Sequence, residues 1–288
     1  MQLRPYQKSD VRGIVRRLQS DGRALLCRPT GTGKTVTATE VLRRVPGRRA
    51  IIVHRRELLA QWVRALVEAK ICAPPPGDLK LDQAAEHCGV FMYRRATARR
   101  AARDADLLVV DECHLSPAKL YRRLIGSRKR GAKLLGLTAT PFRLDEDEDG
   151  AVVQGMYGDA FGDGLQTVDF IKRGVLAPIG SRFGPNTYLD CYLDGYRAQN
   201  YQETEGEIAR RLLHVDAPRK MADAWAKHAA KRRGLLCTAG VAVAEMVLEQ
   251  LAGHGIAAEL FAGRVLASEE RERIIARFRA GKTSVLVT

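Results

Sequence analysis

Short apolar runs alternate with stretches of helical periodicity along the first half of the chain, separated by polar turns. The runs at 23–28 ("RALLCR"), 48–54 ("RRAIIVH"), 106–110 ("DLLVV") and 132–138 ("AKLLGLT") predict strands, the last of them stopped by Pro141. A helix is predicted from Lys34 to about Arg44. Another follows residue 54, where Leu59, Val63 and Leu66 share one face at i, i+4 and i+7. Strands and helices taking turns in this way imply an α/β fold built on a parallel sheet. The pattern resumes later: helix 217–231, strand 234–239 ("GLLCTA"), helix 241–252, strand 256–261 ("IAAELF"), helix 268–280 and a final strand, "SVLVT". Two α/β units are therefore expected, at 1–173 and 216–288. Between them, 174–215 is expected to be a linker or irregular crossover that leaves the first unit through "GVLAP" (174–178), with 180–215 polar, Tyr-rich and without clear periodicity. "DEDED" (145–149) reads as a solvated acidic loop.

Composition narrows the class without naming a function. Of 288 residues, 45% are hydrophobic and 28% charged, a globular balance, and no run approaches the roughly 18 apolar residues of a membrane helix. The start, "MQLRPYQKSD", has no apolar signal-peptide core, and the six cysteines form no Cys-x-x-Cys pair. A cytoplasmic protein with reduced thiols and no zinc ribbon is expected. The net charge of +15 is uneven: residues 1–144 hold 30 Lys+Arg against 12 Asp+Glu, whereas the rest hold 18 against 21. A basic excess on one half fits a polyanion such as nucleic acid, although solvated arginines alone would give the same balance.

Candidate chemistry lies at two strand ends. "CRPTGTGKT" (27–35) joins a predicted strand to a predicted helix, so main-chain N–H groups and the helix N-terminus can cradle phosphates. Pro29, Thr30, Gly31, Thr32 and Gly33 would form the cradle, Lys34 would reach the β- and γ-phosphates of ATP, and Thr35 would offer its hydroxyl to Mg²⁺. The strict pattern wants glycine where Arg28 stands, so only the looser Pro-Thr-Gly-x-Gly-Lys-Thr form is met. "DLLVVDECH" (106–114) supplies a buried strand ending in two carboxylates: Asp111 for the metal shell and Glu112 to orient or deprotonate a water, with His114 near the γ-phosphate side. A second Gly-Lys-Thr, at 281–283, follows a predicted helix and precedes a strand, the reverse of what a phosphate cradle requires. There Gly281 reads as a helix C-cap and Lys282 as a cation near the helix's negative end.

Together these motifs resemble superfamily 2 helicases and translocases of the group whose second box reads Asp-Glu-x-His, with closest wording to the RadD-like and XPB-like branches. The resemblance implies two RecA-like domains in tandem, the second incomplete, and Mg·ATP hydrolysis coupled to movement on nucleic acid. "LRPYQ" (3–7) resembles the adenine-reading motif, with Gln7 on the adenine edge and Arg4 close by. "VHRRELLAQW" (53–62) resembles motif Ia, which makes Arg55 and Arg56 candidate nucleic-acid contacts; Thr97 is the one candidate phosphate contact in "GVFMYRRATARR" (89–100), where the usual Ser/Thr-rich lead is missing. "LTATPFR" (137–143) resembles motif III, implying that Thr138 and Thr140 couple nucleotide state to nucleic-acid binding. In the second unit, "GLLCTAGVAVAEMVLEQL" (234–251) resembles motif IV. Thr238, Gly263 and Arg264 are its candidate contacts. The same branch resemblance favours DNA over RNA, with little sequence preference.

Within the family, motif VI of the second domain supplies an arginine to the transition state, and motif V begins at about "VLVT". No Gln-x-x-Gly-Arg-x-x-Arg occurs in the 288 residues, so the chain is expected to bind Mg·ATP and nucleic acid but to hydrolyse poorly alone, with a second polypeptide as one source of motifs V and VI. A nucleotide-gated nucleic-acid clamp and a restriction-type translocase subunit stand as alternative readings. A kinase or GTPase is disfavoured by "LTATPFR" and by the second α/β unit.

Overall fold

A computed structural model of the chain describes residues 2–72, 88–140, 153–161, 165–177, 201–214, 216–262 and 266–288. The acidic stretch 145–149, Cys191, Gly263, Arg264 and the end of "LTATPFR" lie outside the described residues. The chain divides into two compact units, Met1–Ile179 and Gly180–Thr288.

The first unit is a parallel sheet covered on both faces. Its elements are α1 (Pro5–Ser20), β1 (Arg23–Cys27), α2 (Lys34–Arg44), β2 (Arg49–Val53), α3 (Arg56–Glu68), β3 (Cys88–Met92), α4 (Ala96–Asp104), β4 (Leu107–Asp111), α5 (Lys119–Gly126), β5 (Lys133–Thr138) and β6 (Ala160–Phe161). The order across the sheet is β3-β2-β4-β5-β1-β6. Side chains of successive strand residues point to opposite faces, so a strand buried on both sides must be apolar throughout. β4 shows this: Leu107 and Val109 enter one core with Ile51, Val53, Leu135 and Leu137, while Leu108 and Val110 enter the other with Ala50, Ile52 and Leu134. α1, α2 and α3 close the first face through Ile14, Val41 and Trp62. On the second face, α4 and α5 do the same through Ala98, Tyr121 and Leu124, joined by Val153 and Tyr157 of a short helical turn at 153–157.

Register puts the chemistry at one pole. Cys27 pairs with Thr138 and Asp111 with Leu137, so β1, β5 and β4 end at a common level. Whatever follows these strands is gathered on one edge of the sheet.

The second unit holds a three-stranded parallel sheet, β7 (Gly234–Leu236), β9 (Val285–Val287) and β8 (Ala258–Leu260), in the order β7-β9-β8. Helices Ala217–Ala229 and Val241–Gly253 pack on it around Ala222, Val243 and Val247. One expectation is corrected here. Residues 174–215 are not a continuous linker: 174–177 pack with the first unit, where Val175 and Leu176 donate to the Phe170 carbonyl, and Tyr201–His214 is a helix of the second. Ala209, Leu212 and Leu213 give that helix an apolar stripe that reaches the second core, a period masked by the polar residues around it.

The second Gly-Lys-Thr is a helix end. After helix Ser268–Arg279, the Gly281 N–H donates to Phe278 O at 3.1 Å and the Lys282 N–H to Arg277 O at 3.0 Å, with Gly281 at φ +75°. That paired closure wants a left-handed residue, which glycine supplies without a Cβ clash. Thr283 is buried and bonded to Glu259.

Candidate nucleotide site

The loop after β1 turns through two glycines in the left-handed region, Gly31 (φ +85°) and Gly33 (φ +84°). A Cβ at Gly33 would lie 2.6 Å from the Gln7 amide nitrogen, and one at Gly31 would lie 3.0 Å from Leu176, so both space and backbone demand glycine. The turn is tied internally by Thr32, whose Oγ1 donates to Pro29 O at 2.8 Å. It is also tied to α1: the Tyr6 hydroxyl donates to Thr32 O at 2.7 Å and the Gln7 amide to the same carbonyl at 3.3 Å. Gln7 Oε1 accepts the Arg4 N–H at 2.9 Å. Gln7 is buried, Arg4 is exposed at the start of α1, and Thr30 and Gly31 are exposed at the loop tip. Lys34 opens α2 and its Nζ donates to Arg28 O at 3.0 Å. Thr35 Oγ1 accepts the Gln61 amide at 3.4 Å.

The acidic box follows β4, two strands away. Asp111 is 6% exposed; its Oδ2 accepts the indole N–H of fully buried Trp62 at 2.8 Å and its Oδ1 the Glu112 N–H at 3.0 Å. Burial pushes the Asp111 carboxyl above its ordinary range and Glu112 adds to this, while the Trp62 and Glu112 N–H bonds and Lys34 oppose it. Glu112 adopts φ +51°, a left-handed conformation uncommon for a non-glycine residue, and it turns the chain from strand into the 3₁₀ turn Cys113–Leu115. Burial draws the Lys34 ammonium below its usual value, and Glu112 and Asp111 hold it up. One cation and two carboxylates therefore share one electrostatic site.

His114 links this box to the end of β5. Its Nδ1 lies 3.1 Å from Thr138 Oγ1 and 3.3 Å from Glu112 Oε2. The Thr138 hydroxyl has a single hydrogen, given to Thr140 O at 2.7 Å, and it accepts the Thr140 N–H at 3.1 Å. Its remaining lone pair can only accept, so the His114 Nδ1 must carry the proton it shares with Thr138. Thr138 and Thr140, expected to couple, are thus bonded to each other and to His114, whose Nδ1 lies beside Glu112.

The candidate nucleic-acid contacts are placed less uniformly. Arg55 and Arg56 are exposed at the start of α3, on the same strand-end pole as the box, and Thr97 is exposed in the first turn of α4. Thr238 faces inward: its hydroxyl and N–H are directed to main-chain carbonyls of Gly240 and Thr288, so it serves the second sheet's strand ends. Sequence reasoning missed four residues that shape the site: Tyr6, Asp10, Trp62 and His54. His54 follows β2 beside Arg55, and its buried Nδ1 has no hydrogen-bond partner among the described residues. For Trp62 the signal was available, three residues after Leu59 on the apolar face of α3; for Asp10, a carboxylate one turn from Gln7 on the stripe that carries Ile14.

A fully covered parallel sheet of this order, with a glycine-bearing loop after β1 and a carboxylate pair after β4, defines a RecA-like domain. The family described as the type III restriction enzyme res subunit matches residues 1–143. A putative helicase of Frog virus 3 is 33% identical over 151 residues, which are 50% of this chain and 35% of that protein. A putative DNA 3'-5' helicase Rad25 of Halobacterium salinarum is 33% identical over 162 residues, 51% of this chain and 25% of that protein. The DNA 3'-5' helicase XPB of Kineococcus radiotolerans is 25% identical over 323 residues, 99% of this chain and 50% of that protein. The chain spans half or less of the length of these curated relatives. Among solved structures, the Hef helicase domain of Pyrococcus furiosus matches with a TM-score of 0.52 at 15% identity, covering 99% of this chain and 85% of that one. Dbp5 of S. cerevisiae matches with a TM-score of 0.54 at 17% identity, covering 99% and 74%. By these matches the chain is similar to superfamily 2 helicases, XPB and Rad25 proteins among them. Among the described residues, no helix is long and apolar enough to cross a membrane.

Proposed function

We propose that the chain binds Mg·ATP at the Gly31–Thr35 loop and couples its hydrolysis to movement on, or remodelling of, DNA. The observation that carries this reading is the shared field of Lys34, Asp111 and Glu112 at the ends of β1 and β4, with His114 bridging to Thr138 at the end of β5, the strand between them. Lys34 and the loop's main-chain N–H groups would hold the phosphates. Arg4 and Gln7 would sit at the base end of the nucleotide, the Gln7 amide keeping a second N–H beyond the one given to Thr32 O. Asp111 and Thr35 suit Mg²⁺, a hard cation that takes oxygen ligands, because each Asp111 oxygen retains a lone pair after its single hydrogen bond. When bound there, Mg²⁺ would neutralise charge on the β- and γ-phosphates. Glu112 would take the proton of the attacking water, with His114 Nδ1 3.3 Å from its carboxylate. DNA as partner is supported by the relatives named as DNA helicases and by Arg55, Arg56 and Thr97 on the exposed strand-end side. Contacts of this kind go to the phosphate backbone and predict affinity that falls with salt.

Nucleotide binding and steady-state ATP hydrolysis, each with and without duplex DNA, single-stranded DNA and RNA, test the reading. Lys34→Ala is expected to abolish binding, and Glu112→Gln to keep binding while losing turnover. A wild-type chain that binds no ATP would end the proposal; one that binds ATP and DNA without turning over would favour the clamp.

A further inference from the structure

Arg28 stands where the strict phosphate-loop pattern has glycine, and its side chain is not in solvent. Nη2 and Nε bond the two Asp10 oxygens at 2.6 and 3.0 Å, and both side chains are 2% exposed. The guanidinium lies 5.8 Å from the Tyr6 ring centroid and 5.6 Å from that of Phe170, and those two rings meet edge to face at 5.2 Å. Its main chain is committed as well: the N–H donates to Thr138 O at 3.1 Å and the carbonyl accepts Lys34 Nζ at 3.0 Å. One residue therefore touches α1, the phosphate-loop lysine and the end of β5.

A buried ion pair is a poor way to gain stability, since each ion must give up its hydration and apolar residues of similar volume often do as well. What the pair supplies is geometry. A forked guanidinium on both oxygens of one carboxylate fixes distance and orientation together. Here it fixes α1 relative to the loop after β1, within the same turn of α1 whose Tyr6 and Gln7 hold Thr32 O.

We propose that the Asp10–Arg28 pair is a positioning device of the nucleotide site: it sets the base-end turn Arg4–Gln7 at a fixed separation from the phosphate loop, so that base and triphosphate bind as one ligand. The inference rests on the reading of residues 29–35 as a triphosphate cradle. Losing the pair would leave both subsites present but uncoupled, so the affinity gained from the base would fall while that of the phosphates would stay.

The test measures, on the full chain with Mg²⁺, the affinities for ATP and for inorganic tripolyphosphate. Wild type is compared with Asp10→Asn and with the double variant Asp10→Leu/Arg28→Met, which leaves no buried charge unpaired and so keeps the fold. Both variants are expected to bind tripolyphosphate as wild type does and to lose about tenfold in the ratio of ATP to tripolyphosphate affinity, a typical coupling between subsites. An unchanged ratio in the folded double variant overturns the proposal, and so does a parallel loss of both affinities, which marks a purely structural pair. A wild-type chain that binds neither ligand would refute the triphosphate reading itself, a separate result.

Discussion

Replacing Trp62 by Phe separates the indole N–H from the bulk of the ring. Trp62 is fully buried in the first core, and its Nε1 donates to Asp111 Oδ2 at 2.8 Å. A benzyl group keeps most of the packing; what disappears is a hydrogen bond to a carboxylate, worth about 1.5–3 kcal/mol. Burial already holds the Asp111 carboxyl above 3.8, and the Trp62 N–H is the strongest influence holding it down. Removing that donor raises the folded value further, because a hydrogen bond to the charged form favours it. A carboxyl raised in the folded state contributes stability below its unfolded value, and that contribution is lost as pH rises through the folded one. The cost of Trp62→Phe is therefore fully present at neutral pH and shrinks as pH falls through the raised folded value, as Asp111 takes up its proton in both chains. Urea unfolding followed by far-UV circular dichroism, at pH 7.5 and again near pH 4, measures it. In an Asp111→Asn background the same substitution is expected to cost only about 0.5–1.5 kcal/mol, the worth of a neutral hydrogen bond. An equal cost with and without the Asp111 charge would show that the Trp62 contribution is packing alone.

Three further outcomes are expected. Gly136→Ala would place a Cβ 2.7 Å from Tyr157 Cδ1 and 2.9 Å from Cys113 Sγ, so it should lower the unfolding free energy by about 1–3 kcal/mol; a neutral effect would mean that the Tyr157 ring moves freely. Thiol alkylation of the native chain at pH 8, mapped by mass spectrometry, should reach exposed Cys237 well before Cys88 and Cys113: burial pushes Cys88 up to about 12 and Cys113 well above its usual value, and only the thiolate reacts. Nitrogen-15 NMR of neutral His114 should show the Nδ1–H tautomer, and Thr138→Val should alter its Nδ1–H resonance; an Nε2–H tautomer would break the hydrogen count at Thr138.

The strands were legible because burial on both faces leaves no alternative to an unbroken apolar run. β1, β2 and β5 lie inside the runs predicted for them and β4 runs one residue past its own, while α2 and α3 carry buried residues at helical spacing, Ala38 with Val41 and Leu42, and Leu59 with Leu66. α1 carries the same kind of stripe, Val11, Ile14 and Leu18, but five charged residues among its sixteen hide it, and the "LRPYQ" motif points to its first turn alone. β3 was hidden differently. It holds a glycine and a cysteine in five residues, weak strand formers whose place at the sheet edge is fixed by pairing with β2. The helix Tyr201–His214 was lost in polar composition, and with it the boundary of the second unit.

Of the site, the sequence carried residue types whose spacing is local and withheld partners that only folding brings together. Gly33-Lys34-Thr35 and Asp111-Glu112-x-His114 stand on contiguous residues whose local order, strand then turn, already implies the strand-end position. Trp62 meets Asp111 across 49 residues and His114 meets Thr138 across 24, separations at which residue type says nothing about register. Arg28 is the sharper case. Its presence at a glycine position was visible as a departure, and a departure in a backbone-packed loop has two outcomes: the side chain reaches solvent, or something buried neutralises it. Deciding between them needed Asp10, 18 residues earlier on another element, and Phe170, from a helix beyond the end of the sheet core. An arginine can replace glycine there because the first Gly of the strict pattern sits at the end of β1 with φ in no special region; the turn itself is made by Gly31 and Gly33. The tolerance is in the backbone, and the side chain is then free to be used for positioning.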